Sequence, residues 1–419
     1  MTAVDIGALR VPGDKSIAHR ALLLAMLADG VSVLHGVPDG LDVRATAGAI
    51  AALGAEVHDD GAGTLTVRGT GGKLVAPRGA VDCMNSGTTM RLLAGVLATL
   101  PLTVTLDGDA SLRKRPMRRV TDPLARFGAA ITTAAGGTAP LMIHGAAHAP
   151  AADITVTIPS AQVKSALLFA ALGAHGRSRI DGALATRDHT ERLFAAFGVS
   201  LLEIERALVI DGPVVPRAAE VSVPGDISSA AFLFAAAAAA PGASVTVEDV
   251  GLNPTRIAFL DVLRRFGAHV QTDVTHDDAE PRGRVTVRGA ALRAIDIMPH
   301  DVPALIDELP LVGVLGAFAH GWTTVRGAAE LRVKESDRIA AFADAARAMG
   351  AEVETAADGF AVRGPARMRP AAIATHGDHR IAMAFAVAAR VADVAVALDD
   401  PACVAVSFPG FVAALERVA

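Results

Sequence analysis

Apolar residues recur along this chain in two periods, and the two alternate. Stretches such as VRATAGAIAALG place apolar side chains at helical spacing, and the segments after them alternate apolar and polar residues as half-buried strands do. A bulky apolar residue followed by Gly marks the change in five places: LGAEV at Gly54, FGAAI at Gly128, FGVSL at Gly198, FGAHV at Gly267 and MGAEV at Gly350. Each Gly stands where a left-handed residue ends a helix. A second alternating strand then closes on Gly, in TLTVRG, PLMIHG, ALVIDG, RVTVRG and GFAVRG.

Upstream of each unit runs a helix that is apolar on nearly every side, followed by a strand. ALLLAMLADG, MRLLAGVLATL, KSALLFAALGAHG, AAFLFAAAAAAPG, PLVGVLGAFAHG and RIAMAFAVAARV make six copies, of which the last is cut short. A helix without a polar face belongs inside a domain. The capping glycines lie 69 to 83 residues apart, a period too long for a solenoid. The pattern predicts an α/β fold of two similar domains with three copies each. The 419 residues are too many for a single ordinary core, which agrees.

Composition narrows the function. Hydrophobic residues make up 52% and charged residues 20%, enough apolar surface for large cores. A formal net charge of −5 gives no field for nucleic acid or an anionic membrane, so neither is expected as a partner. The two cysteines, Cys83 and Cys403, imply no disulfide framework. The first residues lack a signal-peptide pattern and the longest apolar run is too short to span a bilayer, so a cytoplasmic location is expected.

The candidate chemistry collects just before the six buried helices, in PGDKSIAHR, NSGTTMR, SAQVKS, GDISS, IDELP and GDHR. Any one of these reads as an ordinary helix cap. Taken together they place Lys and Arg where helix N-termini already carry partial positive charge, which is unfavourable unless something negative offsets it. Six such termini brought together suit a ligand rich in phosphate or carboxylate, and the charges of Lys15 and Arg20 are then expected to serve it. The loops GDASLRKRPMRRV and LRVKESDRIAA add cations, and the second is expected to put Lys334 and Arg338 on one face of a helix start. Asp307, Glu308 and Glu335 supply carboxylates for proton transfer. GDKS lacks the glycines of a phosphate-binding Walker loop. His19, His189, His300, His376 and His379 have no metal-ligand spacing, so no metal site is expected.

PGDKSIAHR, NSGTTMRLL, GDASLRKRPM, SAQVKSALL, TRDHTERL, IDELP, LRVKESDR and GDHRIAMAF follow one another along nearly the whole chain. In that order they resemble the 5-enolpyruvylshikimate-3-phosphate (EPSP) synthase family of enolpyruvyl transferases. The resemblance implies two domains of three βαβαββ units each, an inside-out α/β barrel arrangement with buried parallel helices. It implies a discontinuous first domain of residues 1–12 plus 226–419 and a second of 13–225, with the active site in the cleft between them. Hinges are expected near Pro12–Gly13 and Pro224–Gly225, with open and closed forms.

The reaction so implied joins phosphoenolpyruvate to the 5-hydroxyl of shikimate 3-phosphate and releases phosphate, with no cofactor or metal, in a monomer. Lys15 falls at the phosphoenolpyruvate site and in proton donation, and also against shikimate 3-phosphate. Ser16 and Arg20 fall on the shikimate carboxylate side. Asn85, Gly87 and Thr88 form a loop against phosphoenolpyruvate, with Arg115 on its phosphate. Ser160, Ala161 and Gln162 contact shikimate 3-phosphate, Gln162 also phosphoenolpyruvate, and Arg187 holds the shikimate phosphate. Asp307 is the expected base for the 5-hydroxyl, Lys334 contacts the same hydroxyl, and Glu335 moves protons at the methylene. Arg338, His379 and Arg380 complete the phosphoenolpyruvate pocket. The resemblance also implies that Gly87 leaves room for glyphosate, which Ala would crowd, so sensitivity is expected.

The chain departs from the family pattern at Ala18, usually Ser, at Met84, usually Gly, and at Val406, where some members have Lys. Another acceptor, UDP-N-acetylglucosamine or a secondary-metabolism substrate, is the alternative. The transferase acting on the former typically has a Lys–Asn pair and a loop Cys, where this chain has Lys15–Ser16 and a cysteine-free RKRPM. A binding protein that had lost catalysis is argued against by Lys15, Asp307 and Glu335. A scaffold for partner proteins would carry its charges on an outer face, not at the mouths of buried helices.

Overall fold

A computed structural model describes residues 8–157 and 159–418. The opening stretch of the expected first domain, residues 1–7, lies outside the described residues, as does the expectation about a leader. The chain forms two compact units: residues up to Pro12 together with those from Pro224 onward, and Gly13–Val223. Each has its own hydrophobic core.

In the Gly13–Val223 unit the repeat takes the same form three times. The strands Glu220–Ser222, Val31–His35, Leu65–Arg68 and Glu56–Asp59 lie side by side in that order. The first pair is parallel and the other two are antiparallel. The sheets built on Thr103–Asp107 and on Gly176–Asp181 repeat this order. A parallel pair needs a crossover, and the buried helix supplies it. The first sheet takes its leading strand from the last residues of the unit, 220–222, so the unit closes on itself.

The other unit follows the same plan. Leu9 bridges Val247 in parallel at the edge of the Ser244–Gly251 sheet, and Asp296–Ile297 leads the second sheet. The sixth copy keeps only the parallel pair Ala371–Ile373 and Val396–Leu398 among the described residues.

The helices expected to be buried are buried. Every residue of Ile227–Ala239 is buried, and so is Ile17 to Leu27 of Lys15–Leu27. The five capping glycines all have positive φ, from 72° at Gly198 to 110° at Gly267. The glycines that close the second strands have a different reason, which the sequence pattern does not give. A Cβ on Gly69 would overlap the carbonyl oxygens of Ala25 and Ala28, and one on Gly289 those of Ala237 and Ala240. Gly145, Gly212 and Gly364 meet the ends of their own buried helices in the same way. The strand therefore crosses the helix C-terminus at backbone distance, which only Gly permits. This contact fixes each helix end against its sheet and leaves the opposite, N-terminal end to carry the candidate chemistry.

Candidate active site

In the Gly13–Val223 unit the first cluster is built on the start of Lys15–Leu27. The N-cap Asp14 accepts from the backbone N–H groups of Ser16 and Ile17 at 2.7 and 3.1 Å. Lys15 Nζ lies 3.1 Å from Asp42 Oδ2, in the first turn of the helix Leu41–Ala52. Arg20, 3% exposed, donates to Thr190 Oγ1, Ser165 Oγ and the Ser16 carbonyl, each at 2.8 Å. Both charges thus have partners within the protein, beside any ligand they are expected to serve. Asp42 is a protein anion for Lys15, and neutral oxygens already solvate Arg20, as a buried guanidinium requires. Behind them His19 Nδ1 meets Thr46 Oγ1 at 2.6 Å, and Thr46 meets Thr89 at 2.7 Å. Burial, chiefly, lowers the His19 pKa to about 4, so this chain through three helices is neutral at pH 7.

The second cluster joins the helices Gly87–Ala98 and Ala161–Gly173. They cross where a Cβ on Gly95 would overlap the Ala166 carbonyl, an approach that places their N-termini side by side. Arg91 Nη1 donates to Gln162 Oε1 at 2.6 Å, and Gln162 Nε2 donates to Thr88 Oγ1 at 3.0 Å. Arg115 Nη2 donates to Asn85 Oδ1 at 2.5 Å, while Asn85 Nδ2 donates to Asp109 at 2.7 Å. A Cβ on Gly87 would stand 2.9 Å from Arg91 Nη1 and 3.2 Å from Arg115 Nη1. Two guanidinium groups thus converge on a helix N-terminus, a setting suited to an anion. Ser160 and Ala161 open the neighbouring helix, and Arg187 lies half-buried in the loop that leads to His189–Ala196.

Met84, before Asn85, has φ of 50°, which explains why Gly suits this position. Met84→Gly is expected to raise stability by about 0.5–1 kcal/mol, the left-handed strain less the added freedom of the unfolded chain. Equilibrium urea unfolding checks this, and a lower midpoint would contradict it.

The third cluster belongs to the other unit. Arg338, 1% exposed, opens the helix Arg338–Ala348 and donates from Nε to Asp378 Oδ2 at 2.8 Å and from Nη2 to Glu335 Oε2 at 2.6 Å. Its Nη1 lies 3.6 Å from Asp307 Oδ1. Arg380 Nη1 donates to the Asp307 carbonyl at 3.0 Å and lies 3.4 Å from Glu308 Oε1, and Nη2 lies 3.9 Å from Asp307 Oδ2. Two guanidinium groups therefore bracket the Asp307 side chain. Burial works against the Arg338 charge, but Asp378 and Glu335 outweigh it and hold its pKa above the ordinary value. Burial likewise works to raise Asp378, and Arg338 outweighs it, so this carboxyl sits below its ordinary range. Asp378 also caps His379–Ala392, accepting from the Arg380 N–H at 3.0 Å, and His379 is buried at the first position of that helix.

One expectation about this cluster is corrected. Lys334 and Arg338 share no helix face, because Lys334 is extended and lies outside the helix. Asp337 takes the cap, accepting from Ala340 N at 3.1 Å. Lys334 instead pairs with Glu330 at 3.3 Å. Residues singled out in the sequence are otherwise brought together within each unit: Asn85 with Arg115, Thr88 with Gln162, Ser16 with Arg20, and Asp307 with Arg338, Arg380 and, through Arg338, Glu335. Asp42, Arg91, Asp378 and the pairing of Glu308 with Arg380 are not anticipated from the sequence. Arg91 had a signal, since it follows Gly87 by one helical turn in NSGTTMR. The described residues contain no group of three or more His, Cys, Asp or Glu placed to hold a metal ion. None of the described helices is long and apolar enough to cross a membrane.

Comparisons with known proteins agree with one another. A family model described as EPSP synthase (3-phosphoshikimate 1-carboxyvinyltransferase) matches residues 5–415. The chain is 47% identical over 414 residues to a 3-phosphoshikimate 1-carboxyvinyltransferase of Halorhodospira halophila, covering 98% of this chain and 93% of the relative. It is 47% identical over 412 residues to the enzyme of that name from an Anaeromyxobacter species, covering 98% and 95%. A solved structure of EPSP synthase from Acinetobacter baumannii superimposes with a TM-score of 0.86 at 36% identity, covering 98% of this chain and 95% of that one. The enolpyruvyl transferase NikO from Streptomyces tendae shares the fold, with a TM-score of 0.79 at 18% identity, covering 98% and 94%.

Proposed function

Since the chain belongs to the EPSP synthase family, we propose how its residues carry out the family's reaction: transfer of the enolpyruvyl group of phosphoenolpyruvate to the 5-hydroxyl of shikimate 3-phosphate. The methylene carbon of phosphoenolpyruvate takes a proton and its neighbouring carbon is attacked by the 5-hydroxyl oxygen, which loses its own proton. The tetrahedral intermediate then loses phosphate, and its methyl group returns a proton, leaving the enolpyruvyl ether. Charge accumulates on carboxylate and phosphate oxygens, so cations fixed in advance stabilise the transition state.

Asp307 removes the proton of the 5-hydroxyl, bracketed by Arg338 and Arg380 so that its carboxylate holds one position. Lys334 contacts the same hydroxyl. Glu335, 2.6 Å from Arg338 Nη2, exchanges protons with the methylene, with Lys15 as the second proton-transfer group. The phosphoenolpyruvate phosphate lies against Gly87 and Thr88, held by Arg115 and by Arg91, whose guanidinium stands beside Gly87. Arg338, His379 and Arg380 complete the phosphoenolpyruvate site. Ser16, Arg20, Ser160, Ala161, Gln162 and Arg187 bind shikimate 3-phosphate. The chain acts as a cytoplasmic monomer. The observation that carries this reading is the convergence of the Arg91 and Arg115 guanidinium groups on Gly87 at a helix N-terminus.

Phosphate release tests it. Release is expected only when both shikimate 3-phosphate and phosphoenolpyruvate are present. Release from phosphoenolpyruvate alone, or none with this acceptor, would count against it.

The same site makes a prediction about inhibition. Gly87→Ala puts a methyl group within 2.9 Å of Arg91 Nη1. Overpacking of about 1–3 kcal/mol corresponds to roughly 5–150-fold weaker binding of glyphosate, with a smaller rise in the KM for phosphoenolpyruvate. Inhibition curves for the two proteins check it, and a variant as sensitive as the parent would refute it.

A further inference from the structure

Lys164 is outside the site described above and is fully buried in the helix Ala161–Gly173. Its Nζ lies 2.5 Å from Glu191 Oε1 and 3.3 Å from the Thr186 carbonyl. One ammonium group therefore grips both ends of the segment 186–191, the segment that carries Arg187. Thr186 is further anchored by donating to the Ala183 carbonyl at 2.8 Å. A second, neutral layer lies beside the first. Ser165 Oγ donates to the Ala161 carbonyl at 2.6 Å, and it meets Thr190 Oγ1 at 2.7 Å, while Arg20 donates to both hydroxyls. Both layers run between the same two elements, and the residues they hold are Ala161, Arg187 and Arg20.

An ion pair taken out of water gives little net stability, since desolvation offsets its attraction and apolar side chains of equal size do as well. Burial acts to lower the Lys164 pKa, and Glu191 opposes it. What the pair does supply is fixed geometry, because an ammonium with anchors at two points of one loop leaves that loop a single position relative to the helix. Resting on the acceptor assignment made above, we propose that Lys164 and Glu191 are positioning residues that clamp the Arg187 loop to the Ser160–Gln162 helix start, and so set the affinity for the phosphorylated acceptor without acting on phosphoenolpyruvate.

The test is the paired variant Lys164→Met/Glu191→Gln, which removes both charges and leaves neither buried alone. Shikimate 3-phosphate binding in the absence of phosphoenolpyruvate is measured by calorimetry, beside both KM values, kcat and the thermal midpoint. The dissociation constant and KM for shikimate 3-phosphate are expected to rise about tenfold or more, as loss of positioning in a binding site does, with kcat and the KM for phosphoenolpyruvate within about twofold. A folded variant with unchanged acceptor affinity overturns the proposal, and so does one in which both KM values rise together as the thermal midpoint falls. If the paired variant does not fold, Glu191→Gln alone keeps the side-chain volume and is held to the same split. Parent protein that binds phosphoenolpyruvate but no shikimate 3-phosphate overturns the acceptor assignment, and this proposal with it, whereas failure in the variants alone leaves that assignment standing.

Discussion

Asp307→Asn is expected to lower kcat by about 10²–10⁴-fold, the usual range for loss of a general base. The amide keeps the size of the carboxylate and still accepts hydrogen bonds, so the guanidinium groups now 3.6 and 3.9 Å away retain a partner. What it cannot do is take the proton of the 5-hydroxyl. Both substrates should therefore bind with KM values within a few-fold of the parent, because the isosteric amide leaves Arg338 and Arg380 in place. Steady-state kinetics with each substrate varied separately check the split. Retention of kcat in Asp307→Asn would mean that another group is the base, and Glu335 would be the next to replace.

Arg338→Met is expected to produce the largest loss of stability. The guanidinium is 1% exposed and joins Asp378, Glu335 and Asp307, of which the Asp378 side chain is wholly buried. Methionine fills part of the volume but leaves the Asp378 carboxylate buried without the cation that holds its pKa down. Breaking a buried pair by removing one partner costs about 3–5 kcal/mol, far more than an exposed pair.

The sign of the pH dependence follows from the same contact. In the parent the Asp378 pKa is depressed below the ordinary carboxylate value of 3.8, so its contribution is present above that value and is lost as pH falls through the folded pKa. Without Arg338 burial dominates and raises that pKa, so the carboxyl becomes neutral in the folded variant as the solution is acidified. The stability gap between parent and variant should therefore be widest near neutral pH and narrow toward pH of about 4. Urea unfolding at several pH values checks this, and a gap that is constant with pH would show that lost packing, not the buried carboxylate, is responsible.

Much of the architecture was legible because it is periodic. The apolar run of Ile227–Ala239 has no polar face and can only be interior, and Gly54, Gly128, Gly198, Gly267 and Gly350 mark helix ends because the backbone there turns left-handed. Local spacing carries such information. The second set of glycines was visible as a pattern without its cause, since the overlap of Gly69 with the Ala25 and Ala28 carbonyls exists only once the strand has folded back over the helix.

The site was legible as residue types and hardly at all as partners. Arg20 meets Thr190 and Ser165 across 170 and 145 residues, and Arg91 meets Gln162 across 71. Glu308 and Ser228, 80 residues apart, share a hydrogen bond, and Arg256 donates to the same Ser228 hydroxyl. No spacing rule reaches that far. The counter-charges were missed for the same reason: an acid such as Asp42 reads as an ordinary first-turn residue until the fold sets it 3.1 Å from Lys15. The misplacement of Lys334 has a local cause, for the SDR triplet puts a capping Asp337 directly before Arg338 and starts the helix one turn later than charge spacing alone suggests.

The central claim is that this chain moves an enolpyruvyl group onto the 5-hydroxyl of shikimate 3-phosphate. The measurement that tests it most directly is the mass and carbon NMR spectrum of the product formed from shikimate 3-phosphate and carbon-13-labelled phosphoenolpyruvate. The account predicts one new species in which the labelled vinyl carbons are joined through the 5-oxygen, formed together with free phosphate and about 10²–10⁴-fold more slowly with Asp307→Asn. Unchanged shikimate 3-phosphate in a sample where phosphoenolpyruvate binds would contradict it and would move the claim to a different acceptor.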